Sequence, residues 1–434
     1  MSGLLIAAPA SGSGKTTVTL GLARALADTG LDLVSGKAGP DYIDPAFHAA
    51  ASRKACLNYD PWAMRRDLIR ANAAEQAGAR DFLLVEAMMG LFDAAADGTG
   101  APADLATTLG LPVVLVVDCS RMSHSIAALV QGYRDYRSDI HVAGVILNKV
   151  GSSRHEVMLR GALEASGIEI FGVLERDPRL ALPERHLGLV QAGEHGMLEN
   201  FISHAAAVVT RCCKLDRLVA IAGRGCLQPE GVVLRLPPLG QRMAIACDVA
   251  FAFSYEHLLM GWRMAGADLS FFSPLANEAP AADSDAVYLP GGYPELHGAA
   301  LANADVFRLG MQAAARRGAR IYGECGGYMA LGEALVAADG SHYEMLGLLP
   351  LVTSFAERRR HLGYRRVTPL AGSGFSAPMT AHEFHYSTVA SEGEAERLFA
   401  VTDAIGDDLG EAGLRRGGVS GSYMHLIDLA AEAA

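Results

Sequence analysis

Cys325 stands among three glycines in the stretch RIYGECGGYMAL, residues 320–331, directly after a short apolar run. Gly323 lies two positions before it and Gly327 two positions after it, a spacing typical of a strand–turn–helix elbow that presents a nucleophile. The amide of Gly326 would then face a developing oxyanion. A buried core thiol is the alternative, but glycines have an entropic cost that core packing does not require. We therefore predict a nucleophilic thiol.

Two other segments contain groups that such a nucleophile needs. The stretch LPGGYPE places Gly292 where its amide could be a second oxyanion donor, and SGSYMHLID places His425 after a short strand as a base for Cys325. A core histidine explains His425 equally well when that residue is considered alone. The combination predicts a cysteine–histidine pair.

A phosphate-binding loop is predicted near the N-terminus. The stretch APASGSGKTT lies between a strand and a helix, and its backbone amides, lysine and hydroxyl are the groups that bind nucleotide phosphates and Mg²⁺. The usual pattern begins with glycine where this chain has Pro9, so the loop is a variant. The predicted nucleotide-binding residues here are Gly12, Gly14, Lys15, Thr16 and Thr17.

Acidic residues follow the apolar runs that succeed this loop. Asp41 and Asp44 lie in GKAGPDYIDPAFH, where two prolines predict a loop, while Glu86 ends the run FLLVE and Asp93 follows it. Carboxylates beside a phosphate loop can bind Mg²⁺, position a substrate or accept a proton. Each one alone could be a solvated acid or a helix cap. Asn148, at the end of another apolar run, is predicted to meet the adenine ring.

Short apolar runs alternate with helical patterns along the chain, which predicts βαβ units and a doubly wound parallel sheet. A glycine- and proline-rich stretch breaks this rhythm and predicts a domain boundary. We expect an N-terminal domain at 1–222, a linker at 223–241 and a second α/β domain at 242–434. The predicted strands are 3–8, 31–36, 82–87, 112–118, 142–148, 243–248, 268–274, 286–292 and 319–325.

Composition narrows the class of protein further. The 434 residues carry a formal charge of −11, which argues against a nucleic-acid partner because such a surface needs a basic face. Seven cysteines without paired metal-type spacing indicate reduced thiols, and the chain shows neither a signal peptide nor an apolar run long enough for a membrane helix. A cytoplasmic enzyme is expected, with a homodimer as one open alternative for its assembly.

Together these motifs resemble the cobyrinic acid a,c-diamide synthase family along essentially the whole chain. The matching segments occur in the family's order and approximate spacing. The first domain also resembles dethiobiotin synthetase, and the second resembles a class I glutamine amidotransferase. The segments are APASGSGKTT, KAGPDYIDPAFH, VEAMMGLFD, LPERHLGLV, LPGGYPE and YGECGGYMAL.

The resemblance implies a ligase with two sites. ATP phosphorylates a carboxylate, and ammonia released from glutamine then displaces phosphate to leave an amide. On the ATP side, the resemblance implies that Lys15 and Thr16 bind ATP with Mg²⁺. It implies that Asp41 and Glu86 complete the metal shell, and that Lys37 contacts the transferring phosphoryl group.

For the carboxylate substrate, the resemblance implies that Asp44 and Asp93 support activation, while Tyr42 and Ile43 face the macrocycle. The macrocycle would be a corrinoid polycarboxylate, either cobyrinic acid or metal-free hydrogenobyrinic acid, and nickel sirohydrochlorin is the alternative. A hypothesis from another class is a P-loop ATPase switch with a non-catalytic second module, which would not need Cys325.

The amidotransferase half departs from the common pattern at one position. The resemblance implies that Cys325 is the nucleophile and His425 its base. Common triad amidotransferases have glutamate two residues after the histidine, where this chain has Ile427. Cobyric and cobyrinic amide synthases generally lack that glutamate too, so the pair remains the prediction, and the group that orients His425 is not identified.

Overall fold

A computed structural model of the chain describes residues 2–78, 81–182, 184–185, 188–189, 191–224 and 231–431. The chain divides into two compact units, Met1–Val233 and Leu234–Ala434, and this division falls within the predicted linker. The domain limits given above stay predictions. Of the segment LPERHLGLV, positions 183, 186, 187 and 190 lie outside the described residues, as do linker positions 225–230.

The first unit alternates strands and helices as its sequence predicts. Its short 3₁₀ helices are Pro178–Leu180 and Ala192–Glu194. Its strands and α-helices, in chain order, are β1 (Ser2–Ala7), α1 (Lys15–Asp28), β2 (Leu33–Ala38), α2 (Asp44–Ser52), β3 (Cys56–Tyr59), α3 (Arg66–Gln76), β4 (Phe82–Glu86), α4 (Pro102–Leu109), β5 (Val113–Asp118), α5 (Ile126–Asp135), β6 (Val142–Val150), α6 (Ser153–Glu164), β7 (Glu169–Glu175), β8 (Glu184–Arg185), β9 (Gly188–Leu189), α7 (Leu198–Cys212), α8 (Leu215–Ile221) and β10 (Gly223–Arg224).

Seven of these strands form a parallel sheet in the order β3-β2-β4-β1-β5-β6-β7. Strands β1, β2 and β4 consist almost wholly of buried residues, because helices cover both faces of such a sheet. The prediction of a doubly wound parallel sheet is therefore confirmed. The carboxyl ends of β1, β2 and β4 lie side by side, which brings the phosphate loop next to the residues that follow β2 and β4.

One local prediction in this unit was wrong. Asp44 is the first residue of α2 and not a loop residue, because Pro45 is tolerated in the first turn of a helix. Residues Gly223–Arg224, assigned to the linker, form β10, which pairs antiparallel with β1 and belongs to the sheet of the first unit.

The second unit begins as α/β and ends as an antiparallel assembly. Its short 3₁₀ helix is Pro294–Leu296. Its strands and α-helices, in chain order, are β11 (Arg242–Ala246), α9 (Glu256–Met264), β12 (Asp268–Phe272), β13 (Ala286–Leu289), α10 (Gly298–Ala302), α11 (Asp305–Arg316), β14 (Arg320–Glu324), α12 (Gly326–Leu331), β15 (Ala334–Val336), β16 (His342–Glu344), β17 (Leu351–Ser354), β18 (His361–Pro369), β19 (Met379–His385), β20 (Thr388–Glu392), β21 (Glu396–Asp403), β22 (Asp408–Arg416), β23 (Val419–Ser422) and β24 (Met424–Leu429).

The main sheet of this unit has ten strands in the order β12-β11-β13-β14-β23-β22-β21-β18-β19-β24. The first five run parallel, as the α/β prediction requires, and the remaining strands are antiparallel. His425 follows the short strand β23, as predicted, and is the second residue of β24. Throughout the part of the chain that the structure describes, we find no helix with the length and hydropathy to cross a bilayer.

Candidate active sites

The phosphate loop connects β1 to α1 through two glycines in the left-handed region of backbone space. Gly12 has a φ of 78° and Gly14 a φ of 87°, conformations that strain residues with a Cβ. Lys15 begins α1, and its Nζ donates a hydrogen bond of 2.5 Å to the carbonyl of Met89. Burial lowers the pKa of Lys15 below its usual value, although Glu86 opposes this effect. The amides, the helix N-terminus and the lysine together suit a polyphosphate.

A buried lysine lies among the predicted acidic residues. Lys37 Nζ is 2.5 Å from Asp44 Oδ2, 3.0 Å from Glu86 Oε1 and 3.8 Å from Asp41 Oδ2. Burial opposes the ammonium charge, but the three carboxylates raise the pKa of Lys37 above its usual value. We expect the lysine to remain charged and to neutralise part of the acidic cluster.

The same cluster offers oxygen atoms to a cation. Thr16 Oγ1 donates a hydrogen bond of 2.7 Å to Glu86 Oε1 and lies 3.5 Å from Asp44 Oδ2. Burial alone would raise the pKa of Glu86, but Lys37 and then His48 hold it below its usual value. Burial and the nearby Asp41 raise the pKa of Asp44 to about 7. Hydroxyl and carboxylate oxygens beside a phosphate loop are the donors that Mg²⁺ prefers, so the residues fit that ion.

His48 is a site residue that the sequence analysis missed. It is fully buried in α2, and its Nε2 lies 2.5 Å from Glu86 Oε2. His48 lies four residues after Asp44, and residues with that spacing share one face of a helix. Had the helix been predicted to begin at Asp44, this spacing would have placed His48 toward the acidic cluster.

The side chains of Asn148 and Thr17 each donate a hydrogen bond to a backbone carbonyl that is distant in the sequence. Asn148 Nδ2 donates to the carbonyl of Ser13 at 2.9 Å, so the amide nitrogen supports the phosphate loop and the predicted adenine contact is not shown. Thr17 Oγ1 donates to the carbonyl of Leu180 at 3.1 Å. Both residues nevertheless line the cavity that contains the phosphate loop.

Asp41, predicted as a metal ligand, and the residues predicted to serve the substrate differ in their burial and contacts. Asp41 Oδ1 accepts hydrogen bonds from the amides of Ile43 and Asp44, at 2.9 and 3.0 Å, and thereby stabilises the start of α2. Tyr42 and Ile43 are buried at 8% and 5% exposure, so their predicted contact with a macrocycle is not visible. Asp93 is exposed and accepts a hydrogen bond from the amide of Gly90 at 2.8 Å.

The second site contains a strained turn between β14 and α12. Cys325 has φ 48° and ψ −106°, a rare backbone conformation for a residue with a side chain. Its amide donates to the carbonyl of Ser422 at 2.8 Å, which fixes the turn against β23. This strand–turn–helix arrangement is the elbow that the glycine spacing predicts, and such strain is common at functional residues.

The glycines around Cys325 permit close backbone approaches. A Cβ on Gly326 would lie 2.9 Å from the amide nitrogen of Gly292, and a Cβ on Gly327 would lie 2.0 Å from the carbonyl oxygen of Leu289. A side chain at either position would therefore force the backbone apart. The structure brings Gly292 and Gly326 together, and these are the two residues predicted to donate to an oxyanion.

His425 lies beside the cysteine. A Cβ on Gly291 would lie 2.4 Å from His425 Cε1, 3.1 Å from its Nε2 and 3.3 Å from Cys325 Cβ. Burial, followed by the neighbouring His382 and His385, lowers the pKa of His425 to about 3. Burial, followed by Glu295, raises the pKa of the Cys325 thiol. A neutral imidazole beside a neutral thiol is the state from which a histidine can act as a base.

Comparisons with known proteins agree with both halves of the chain. Residues 4–190 match the CobQ/CobB/MinD/ParA nucleotide binding domain, and residues 242–433 match the CobB/CobQ-like glutamine amidotransferase domain. The hydrogenobyrinate a,c-diamide synthases of a Sinorhizobium species and of Rhizobium meliloti strain 1021 are each 67% identical to this chain, over 100% and 99% of both chains respectively. The protein of that name from Brucella anthropi is 60% identical over 100% of both chains.

A nucleotide-binding P-loop unit followed by an amidotransferase unit with a cysteine elbow defines the class of two-domain, glutamine-dependent amidotransferases. Within this class, the 67% identity to the Sinorhizobium protein over the full length identifies the family. The chain belongs to the hydrogenobyrinate a,c-diamide synthase family.

Proposed function

We propose that the protein uses ATP and glutamine to convert the a and c acetate carboxylates of hydrogenobyrinic acid into amides, a step of cobalamin biosynthesis. The observation that carries the proposal is the combination of a phosphate loop with its acidic cluster and a separate cysteine–histidine pair. A carboxylate is a poor acyl donor and needs ATP, whereas ammonia is mostly protonated at neutral pH and must be generated from an amide.

The synthetase reaction has two balanced steps. A carboxylate oxygen of the substrate attacks the γ-phosphorus of ATP, and ADP leaves with the bridging oxygen. Ammonia then attacks the carbonyl carbon of the acyl phosphate, inorganic phosphate leaves, and the nitrogen loses a proton. Such a reaction depends on positioning and on neutralising phosphate charge.

Each residue of the first site has a task in these steps. Lys15 and the loop amides bind the phosphates, with Asn148 holding the loop. Lys37 is held at 2.5 Å from Asp44, where its charge can stabilise the transferring phosphoryl group. Mg²⁺ would be held by Thr16, Glu86 and Asp41. When bound, the ion neutralises phosphate charge and draws ATP into one conformation.

At the ATP site, the proposed roles of four residues toward the carboxylate substrate follow from the family resemblance. Asp44 and Asp93 would support carboxylate activation, and Tyr42 and Ile43 would border the macrocycle. Asp44 has the clearer physical basis, since its carboxylate lies within the cluster that surrounds Lys37.

The amidotransferase reaction uses Cys325 and His425. His425 takes the thiol proton, and the sulfur attacks the side-chain amide carbon of glutamine. The amides of Gly292 and Gly326 stabilise the oxyanion. The proton passes to the leaving nitrogen, ammonia departs, and water hydrolyses the thioester to glutamate.

Mass spectrometry of reaction products tests the function. Purified protein, ATP, Mg²⁺ and glutamine are incubated with hydrogenobyrinic acid, cobyrinic acid or nickel sirohydrochlorin in separate reactions. We expect two added amides on hydrogenobyrinic acid, as the names of the relatives suggest. No mass change on any of the three would contradict the proposal.

A P-loop switch with a non-catalytic second module is a weaker candidate. It gives no reason for the strained backbone of Cys325 or for the close approach of Gly326 to Gly292. A homodimer is also a proposal, and sedimentation of the purified protein would test it.

A further inference from the structure

His425 has isoleucine at the position where such a base usually has its orienting carboxylate. Two residues further along β24 stands Ile427, which is 1% exposed, and its carbonyl accepts a hydrogen bond from His257 Nε2 at 2.9 Å. An apolar side chain cannot fix the tautomer of an imidazole or stabilise its protonated form. If His425 acts as a base, another group has to supply this function.

Glu324, the residue immediately before the nucleophile, lies beside His425. Its Oε2 is 3.8 Å from His425 Nδ1, and both side chains are buried, at 2% and 0% exposure. This separation exceeds a hydrogen bond, but it is within the distance at which a carboxylate and an imidazolium form an ion pair. Catalytic contacts of this kind are often long before substrate binds and shorten afterwards.

Two further contacts hold the Glu324 carboxylate in place. Tyr288 Oη donates to Oε2 at 2.8 Å, and the amide of Leu426 donates to Oε1 at 3.1 Å. The second bond joins β14 to β24, which are not neighbours in the sheet. Because Leu426 directly follows His425, the bond fixes the backbone of the base relative to the strand that carries the nucleophile.

Burying a charged carboxylate has a large free-energy cost unless hydrogen bonds or an opposite charge offset it. Burial raises the pKa of Glu324 to about 8, although Tyr288 and the Leu426 amide both favour its charged form. Burial raises the pKa values of the nearby Tyr322 and Tyr288 well above their usual range, so both phenols stay neutral, and a phenol has no cationic form that could compensate Glu324. A protonated His425 is the partner that would compensate the charge of Glu324.

Another carboxylate in the vicinity is already engaged. The oxygens of Glu383 contact Arg365, at 2.8 Å, and His385 Nε2, at 3.0 Å. The charges of His382 and His385 lower the pKa of His425, whereas the charge of Glu383 raises it. Glu324 Oε2, by contrast, lies 3.8 Å from His425 Nδ1.

We propose that Glu324 is the positioning residue for His425 and takes the place of the carboxylate missing at residue 427. This inference rests on the proposed role of Cys325 and His425 in glutamine hydrolysis. With Nδ1–H directed to Glu324, Nε2 is the nitrogen that accepts the thiol proton of Cys325. The charge of the resulting imidazolium favours the ionised form of Glu324, and this ion pair stabilises the thiolate that attacks glutamine.

The test compares Glu324→Gln with two other variants in the full-length protein. Glu324→Asp keeps a carboxylate on a shorter stem, and Tyr322→Phe removes a buried hydroxyl from the same strand as a matched control. Each is assayed for glutaminase kcat and glutamine KM, for ammonia-dependent amidation, and for alkylation of Cys325 by iodoacetamide at several pH values. Mass spectrometry of the Cys325 peptide separates this thiol from the others.

We expect Glu324→Gln to lower glutaminase kcat roughly 10²-fold with little change in glutamine KM. Alkylation of Cys325 should slow about tenfold near pH 8, because the thiolate loses the stabilised imidazolium. Glu324→Asp should recover part of both losses, and Tyr322→Phe should match the parent protein. Ammonia-dependent amidation should persist in all three.

An unchanged kcat and alkylation profile in Glu324→Gln would overturn the inference. A fall in kcat with an unchanged alkylation profile would also overturn it, because that result indicates a general structural defect. Should Glu324→Gln fail to fold, Tyr288→Phe replaces it. Removing that donor should lower kcat about threefold to tenfold, and no effect would count against the inference. Failure of the proposed function is recognised separately, by glutamine-dependent activity that survives Cys325→Ser.

Discussion

His48 Nε2 lies 2.5 Å from Glu86 Oε2, and both side chains are almost completely buried. The other oxygen of Glu86 accepts from Thr16 and contacts Lys37. A group that fixes one oxygen of a carboxylate also fixes the direction in which the other oxygen points. The α2 helix thus determines how Glu86 faces the phosphate loop.

We expect His48→Asn to raise the KM for MgATP about tenfold to hundredfold, because Glu86 loses the contact that orients it. Amidation should fall to the same extent with glutamine and with ammonia. The matched control is Ser52→Ala in the same helix, which removes a buried hydroxyl whose hydrogen bonds, among the described residues, are to backbone carbonyls and to Ser35. Steady-state kinetics with varied ATP make the measurement, and equal KM values in both variants would contradict the expectation.

Cys325→Ser separates the two halves of the reaction. A serine hydroxyl is a much weaker nucleophile at neutral pH than a thiolate, so glutamine-dependent amidation should fall to background. Amidation supplied with ammonium chloride should be retained, because the ATP site is untouched. Loss of both activities in a correctly folded variant would indicate that Cys325 serves the synthetase site or the fold.

Gly291→Ala tests the closeness of His425 to Cys325. The added methyl group would lie 2.4 Å from His425 Cε1, so the imidazole has to move away from its present position. We expect glutaminase kcat to fall at least about 10²-fold, because a base displaced by ~1 Å loses its geometry. Gly161→Ala in α6, where nothing lies within 4 Å of the added carbon, is the control for the substitution itself. Equal activity of the two variants would contradict this geometry.

Asn148→Ala should weaken ATP binding without affecting glutaminase turnover. The variant loses the hydrogen bond to the carbonyl of Ser13, and such a bond contributes about 1 kcal/mol. The KM for ATP should therefore rise about fivefold. A larger rise that depends on the base of the nucleotide, measured by comparing ATP with GTP, would support the adenine contact predicted from the sequence.

Because of Glu324, the free energy of unfolding of the protein should fall as the pH rises. Its pKa is raised from 4.5 to about 8 in the folded state, so the protonated form is stabilised by folding. This contribution is fully present below pH 4.5 and is lost as the pH rises through about 8. The melting temperature of Glu324→Gln, relative to the parent protein, should rise between about pH 5 and pH 9 in calorimetry. A difference that stays constant with pH would contradict this linkage.

Much of the fold could be predicted because its signals are local. Buried parallel strands are short apolar runs, and a phosphate loop needs glycines with positive φ at fixed positions, as found at Gly12 and Gly14. The glycine spacing around Cys325 predicts the elbow for the same reason. The antiparallel half of the second unit was not predicted, because strands such as β20 and β22 are largely exposed and lack a continuous apolar run.

Sequence by itself determined the two kinds of chemistry, a phosphate site at Lys15 and a thiol elbow at Cys325. Only the tertiary structure decided which side chains serve them. Glu324 and His425 are 101 positions apart in the sequence and lie on strands that are not neighbours, yet their polar atoms are 3.8 Å apart. Such a contact depends on how the sheet is assembled, and no local pattern of residues encodes it.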